Sequence, residues 1–286
     1  MESKDKYSLL LIIIMGVLPV TEAGTKSVNF AKSATAMNKE LDSVDDQYSG
    51  CEVDMLKKVI EPGGLLEKEL KADQFYLEAW KNGKTCRKQI PGAQEEHNIA
   101  LAVFTSDFNF YDKFNNAVRS LGSTVEIYKS DFPYKSLHFL LADALRILNK
   151  THCYEGSSGT HLNLNMTEVN SEVRLGTYRW GSPFMERFCQ TEFKVSSCLA
   201  VDVRDYSCFR DIEVVIPPHE LFQVMAVDIL NDGAKKVITL MSKGTYWKHK
   251  CSYLQRNGNS DGNSAHVGRS SALVLLAAPL FLLLAI

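Results

Sequence analysis

Two carboxylates stand two residues apart at the entrance of a strongly apolar run, Asp211-Ile212-Glu213-Val214-Val215-Ile216-Pro217-Pro218. Along an extended chain, side chains i and i+2 face the same way, so both acids would enter one cleft. Paired carboxylates in a cleft suit chemistry in which positive charge develops at a carbon, as in glycoside cleavage. The plainer reading makes them solvated residues at a strand entrance, a common placement on half-exposed strands. The spacing alone leaves both readings open.

Other chemistry-bearing residues give weaker signals. His138 sits in the middle of an apolar helical pattern and reads as a hydrogen-bonded helix histidine rather than a base. Phe108, Phe110 and Phe114 read as core. Cys51, Cys86, Cys153, Cys189, Cys198, Cys208 and Cys251 carry no CxxC spacing and no accompanying histidine pattern, so no metal site is expected. Basic and acidic residues nearly balance, 32 against 34, without the basic stripe that a nucleic-acid footprint needs.

Both ends read as processing signals. Lys4 and Lys6 precede the apolar run Leu9 to Leu18 and the small residues up to Ala23, which reads as a secretory signal peptide over 1–23. Residues 256–286 begin small and polar, continue through a polar spacer, and end in the apolar run Ala272 to Ile286. That order matches a GPI-attachment signal, with Ser260 or its neighbours Asn259, Gly262 and Asn263 as the attachment point. A spanning helix would need about 20 apolar residues and would carry a basic flank. Asn149-Lys150-Thr151 and Asn165-Met166-Thr167 are acceptor sequons, so Asn149 and Asn165 are expected to be glycosylated. Together these features place the protein in the secretory pathway, lipid-anchored on the extracellular face, where most cysteines should pair.

The elements that must position the acids follow from periodicity. A loose leader over 24–45 precedes helical spacing from Asp46 onward. The clearest helix is Ser136 to Lys150, with Leu137, Leu140, Leu141, Ala144, Leu145 and Leu148 on one face. Beyond Cys153 the pattern becomes short strands: Glu172–Tyr178, Glu192–Ala200, Glu213–Ile216, Leu221–Val227 and Lys236–Leu240. Their spacing predicts an antiparallel β half, and the chain as a whole an α+β fold with one domain over 46–255.

Several segments carry a resemblance. DIEVVIPP continues as His219-Glu220-Leu221-Phe222-Gln223-Val224; Asp45-Asp46-Gln47-Tyr48, Lys135 to Leu145, Cys153-Tyr154 and Glu172-Val173-Arg174-Leu175-Gly176 occur in matching order. These resemble the vertebrate NAD-dependent arginine mono-ADP-ribosyltransferases over roughly residues 44–255. The resemblance implies a helical N-terminal part and two small β-sheets enclosing an NAD cleft, with disulfides Cys51–Cys251 and Cys153–Cys198. Cys86, Cys189 and Cys208 receive no partner from it. NAD, or NADP, would be the ADP-ribose donor, with no metal, and arginine-bearing extracellular proteins the acceptors.

The family's signature is an Arg, a Ser and Glu-x-Glu. Glu213 falls on the second Glu, which bonds the ribose, and Asp211 on the first, which orients the acceptor guanidinium. Asp211 is one methylene short, which weakens reach toward arginine and favours water. The Arg position falls on Ser158 and the Ser position on Trp180, with Ser182 two residues on. Cofactor contacts would then draw on Arg174, Ser182, Ser207 and Trp180, with Arg179 alternating away on the strand. Three functions compete on these residues: an arginine ADP-ribosyltransferase, an NAD glycohydrolase, and a degenerate surface antigen or binding module of the same fold.

Overall fold

Among the described residues, amphipathic spacing becomes seven helices in the first half of the chain: α1 Glu52–Ile60, α2 Leu65–Ala72, α3 Gln74–Cys86, α4 Glu95–Ser106, α5 Phe108–Ser120, α6 Val125–Ser130 and α7 Lys135–Leu148. The computed structural model describes residues 37–148, 152–160, 164, 168–182, 189–231, 234–255 and 266–268. The expected signal peptide, both sequons and most of the C-terminal attachment signal lie outside the described residues. Local chemistry sets the helix starts: Asp73 caps α3 through the Phe75 and Tyr76 amides, and Asp107 caps α5 through those of Asn109 and Phe110. The start of α7 is capped from another helix. Buried Glu69 of α2 accepts from the amides of Lys135 and Ser136 at 3.0 and 2.9 Å.

The described residues of the second half form nine strands: β1 Tyr154–Thr160, β2 Glu172–Arg174, β3 Arg179–Gly181, β4 Thr191–Ser197, β5 Val201–Asp202, β6 Val214–Ile216, β7 Glu220–Leu230, β8 Lys235–Trp247 and β9 His266–Gly268. One sheet runs β1-β4-β8-β7-β2, with β9 on β8; the other runs β3-β6-β5. The fold class is α+β, as expected. The β half is not wholly antiparallel, however, because β4 runs parallel to β8 from Thr191↔Lys236 to Ser196↔Met241.

The small sheet is the middle layer. Trp180, Val201 and Val215 join the helical core, while Val214 and Ile216 join a second core with Val173, Phe193, Phe222, Val224, Ile238 and Leu240 of the large sheet. A strand covered on both faces reads as a continuous apolar run, which accounts for the Val-Val-Ile after Glu213.

One strand expectation changes, and β1 was not expected. Glu172–Tyr178 is not one strand: β2 ends at Arg174 and β3 starts at Arg179 in the other sheet. The chain crosses at Gly176, whose φ of +65° suits glycine and whose absent Cβ would lie 2.6 Å from that of Glu40. β1 is weak in sequence because strand formers stand only at its ends, Tyr154 and Thr160, around a Gly- and Ser-rich middle; its pairing with β4 along its whole length makes it a strand.

Candidate active site

Glu213 is held by its backbone before its side chain is considered. Its N–H donates to the Gly181 carbonyl at 3.0 Å, and its own carbonyl accepts from Val203 N–H at 2.8 Å. These two bonds extend the β3-β6-β5 ladder one residue beyond β6, so the half-buried carboxyl projects from a fixed point. Its Oε2 lies 3.4 Å from the Tyr154 hydroxyl at the start of β1, and the phenol donates to it. Burial first, and then the Glu213 charge, push the Tyr154 phenol up to about 12.

Asp211 is exposed and belongs to the loop between β5 and β6 rather than to the strand. Ile212 N–H bonds back to the Phe209 carbonyl at 3.2 Å, and Ser207 Oγ donates to the same carbonyl at 2.6 Å. The relation between the two acids is therefore set by loop turns and not by strand alternation. Cys208 in this loop is bonded to Cys86 at the end of α3, a pairing that the sequence left unassigned. Cys51–Cys251 and Cys153–Cys198 form as expected, and the seventh cysteine, Cys189, is half-buried with its sulfur against Gly159.

The four residues expected to contact cofactor separate. Arg174 is fully buried and its guanidinium is consumed by the fold, pairing with Asp45 at 2.7 Å and donating to the carbonyls of Lys39, Glu40 and Tyr246. It offers nothing to a phosphate. Trp180 is 3 % exposed and packs on Tyr111, Phe108 and Phe104 with ring centroids 4.0, 5.0 and 5.8 Å away. It is a helical-core residue, neither a stacking platform nor a plug in the cleft. Ser207 is buried as well, and closes the loop turn. Ser182 lies beside Glu213: its N–H donates to the Ser157 carbonyl at 2.9 Å, next to the Gly181 carbonyl that holds Glu213. Ser158, which stands at the Arg position of the family signature, turns its hydroxyl to the Trp180 carbonyl at 2.7 Å. Arg179 is also buried, with Nη1 3.4 Å from the Gly159 carbonyl.

His138 hydrogen-bonds through Nδ1 to the Tyr48 hydroxyl at 2.8 Å, the structural role expected of it. Burial lowers its pKa to about 3, so it is neutral. Phe110 and Phe114 are core, but Phe108 is 58 % exposed, stacked on Phe209 of the acid-bearing loop. The exposure follows from its place at the first residue of α5, ahead of the buried face. A cavity of about 250 Å³ between Tyr48, His138, Tyr178, Val201, Pro217 and His219 lies at the other end of β6 from Glu213. The acids thus sit at an open edge rather than in that cavity. Among the described residues, no cluster of three His, Cys, Asp or Glu could hold a metal, and no helix is long and apolar enough to cross a membrane.

A profile described as NAD:arginine ADP-ribosyltransferase matches residues 37–248. Ecto-ADP-ribosyltransferase 5 of Rattus norvegicus is 33% identical over 236 residues, covering 74% of each chain. The GPI-linked NAD(P)(+)–arginine ADP-ribosyltransferase 1 of Homo sapiens is 27% identical over 277 residues, covering 86% of this chain and 84% of its own. Among solved structures, the eucaryotic mono-ADP-ribosyltransferase ART2.2 superposes with a TM-score of 0.64 at 25% identity, covering 77% of this chain and 99% of that one. A variant of that enzyme in complex with NAD superposes with a TM-score of 0.63.

Proposed function

The chain belongs to the NAD:arginine ADP-ribosyltransferase family, and from that premise we propose that Glu213 drives NAD cleavage at the open end of β6. In this reaction the bond between nicotinamide and ribose C1 breaks with its electron pair leaving on nicotinamide. Positive charge develops across C1 and the ring oxygen, and the Glu213 carboxylate meets it from a fixed backbone. An acceptor nitrogen from an arginine side chain then bonds C1 and releases a proton to solvent; water in its place gives hydrolysis. The observation that carries this reading is the double clamp on Glu213 by Gly181 and Val203, with the Tyr154 hydroxyl at its carboxyl.

The flanking residues set the expected balance. Asp211, short and exposed on a loop, orients an acceptor guanidinium less well than a glutamate, so water competes better. No guanidinium stands at position 158, and Arg174 is committed elsewhere. Loss of a charge-assisted phosphate contact costs about 2–3 kcal/mol, or roughly one to two decades in NAD affinity. We therefore read the chain as a weakly binding enzyme that both transfers to arginine and hydrolyses NAD. The polar-then-apolar C-terminus and the surface-linked names of the relatives support a lipid-anchored place on the cell exterior.

The inward Ser158 and the buried Trp180 favour a second reading, a binding module that retains the fold without turnover. Etheno-NAD cleavage by the full chain displayed on cells separates the two. Glu213→Gln keeps shape and removes charge, and should lower both transfer and hydrolysis by about a hundredfold or more. Asp211→Glu should shift product from free ADP-ribose toward an arginine analogue. A wild type that is inert, or a Glu213→Gln variant as active as wild type, would sink the enzymatic reading.

A further inference from the structure

We propose that Tyr154 is the positioning residue of Glu213, filling with its phenol the supporting role that a serine at position 180 would have and that the indole of Trp180 cannot. This rests on the reading of Glu213 as the charge-stabilising carboxylate. Trp180 is turned into the helical core, and the nearby Ser158 hydroxyl is already given to the Trp180 carbonyl. Among the described residues, the Tyr154 hydroxyl donates to the Glu213 carboxyl.

Two observations place the phenol in that role. The hydroxyl is 3.4 Å from Glu213 Oε2. The ring is seated on two glycines from neighbouring strands. A Cβ at Gly156 would lie 2.1 Å from the Tyr154 hydroxyl oxygen, and one at Gly181 would lie 3.1 Å from it. Any side chain at Gly156 would push the phenol off its seat, because the ring end is the part free to move. The same Gly181 supplies the carbonyl that bonds Glu213 N–H. One short segment therefore fixes both the backbone of the acid and the ring that steers its carboxyl.

The charged groups facing the phenol are Glu213 and Arg204, and Arg204 is exposed and paired with Asp202 at 2.5 Å. With its pKa pushed up to about 12, the phenol remains a donor across the physiological range. A neutral donor that orients a carboxylate without touching NAD should affect turnover rather than binding.

The test joins kinetics to a titration in the full chain. Tyr154→Phe should lower kcat for NAD cleavage by roughly tenfold, the low end for a hydrogen bond to a charged group, while KM for NAD changes less than about twofold. Gly156→Ala retains the hydroxyl but displaces the ring, and should reproduce that pattern. With 3-fluorotyrosine placed at 154, fluorine NMR should show the phenol ionising at lower pH in Glu213→Gln than in the parent, because the neighbouring negative charge is gone. An unmoved titration, or a loss expressed in KM alone, would overturn the proposal. If the parent chain does not cleave NAD, the enzymatic reading fails, and the titration still decides whether Tyr154 and Glu213 are coupled.

Discussion

Arg174 illustrates how far a side chain's chemistry depends on what surrounds it. A guanidinium fork two residues before a glycine is a reasonable phosphate ligand by type, yet here all three of its nitrogens donate within the fold, to Asp45 and to the carbonyls of Lys39, Glu40 and Tyr246. Truncating one member of a buried ion pair leaves the other as an uncompensated charge, which costs about 3–5 kcal/mol. Arg174→Ala should accordingly lower the denaturation midpoint strongly. In the fraction that remains folded, KM for NAD should be unchanged within error. A variant of normal stability with a raised KM would return Arg174 to the cofactor site.

At the scale of elements, the loop between β5 and β6 carries Asp211 but is fastened to the helical half. Cys208 joins Cys86 of α3 across 122 residues of chain, and the Cys208 amide donates to the Thr105 hydroxyl of α4 at 3.1 Å. In the chain-entropy account a closure of that size stabilises by up to about 4–5 kcal/mol, less where other disulfides already shorten the loop. Replacing both cysteines by serine should lower the melting temperature by several degrees while the protein still folds, since Cys51–Cys251 and Cys153–Cys198 remain. Peptide mapping without reduction checks the pairing directly. A double variant that melts like the parent would show that this tether adds nothing beyond the loop's own packing.

Over the whole molecule, the segment before α1 is laced to the segment after β8. Gln47 N–H bonds the His249 carbonyl and Cys251 N–H bonds the Gln47 carbonyl, while Asp45 accepts from the amides of Lys248 and His249. Asp46 accepts from Ser252 N–H at 3.0 Å, and Cys51–Cys251 closes the clasp. Burial pushes the Asp46 carboxyl up to about 7. In an unfolded chain it would titrate near 3.9, so between these values the unfolded state has released a proton that the folded state keeps. Stability therefore falls as pH rises through that window, and the loss is complete above about 7. Asp46→Asn lacks this ionisation. Measured against the parent, its melting temperature should improve by a few degrees from pH 5 to pH 8, even if it is lower at pH 5 for want of one acceptor oxygen. A difference independent of pH would mean that Asp46 is ionised in the fold at both values.

What the sequence determined by itself was the periodic and the local. The helical stripe of α7, the short strands after Cys153, the α+β order and the apolar run behind Glu213 all follow from side-chain alternation, which needs no knowledge of the partner surface. The motif order likewise pointed to the family and to two of the three disulfides. Only the tertiary structure decided which polar groups were already spent. Arg174, Trp180 and Ser207 were suitable by type, but burial and competing partners within the fold removed them from the site, and such partners lie far away in sequence, as Asp45 does from Arg174. It also decided that Asp211 rides on a loop, that Phe108 faces outward, and that Cys86 meets Cys208. Tyr154 escaped the sequence reading for the same reason. Its link to Glu213 spans 59 residues and exists because two glycines on adjacent strands leave room for a ring.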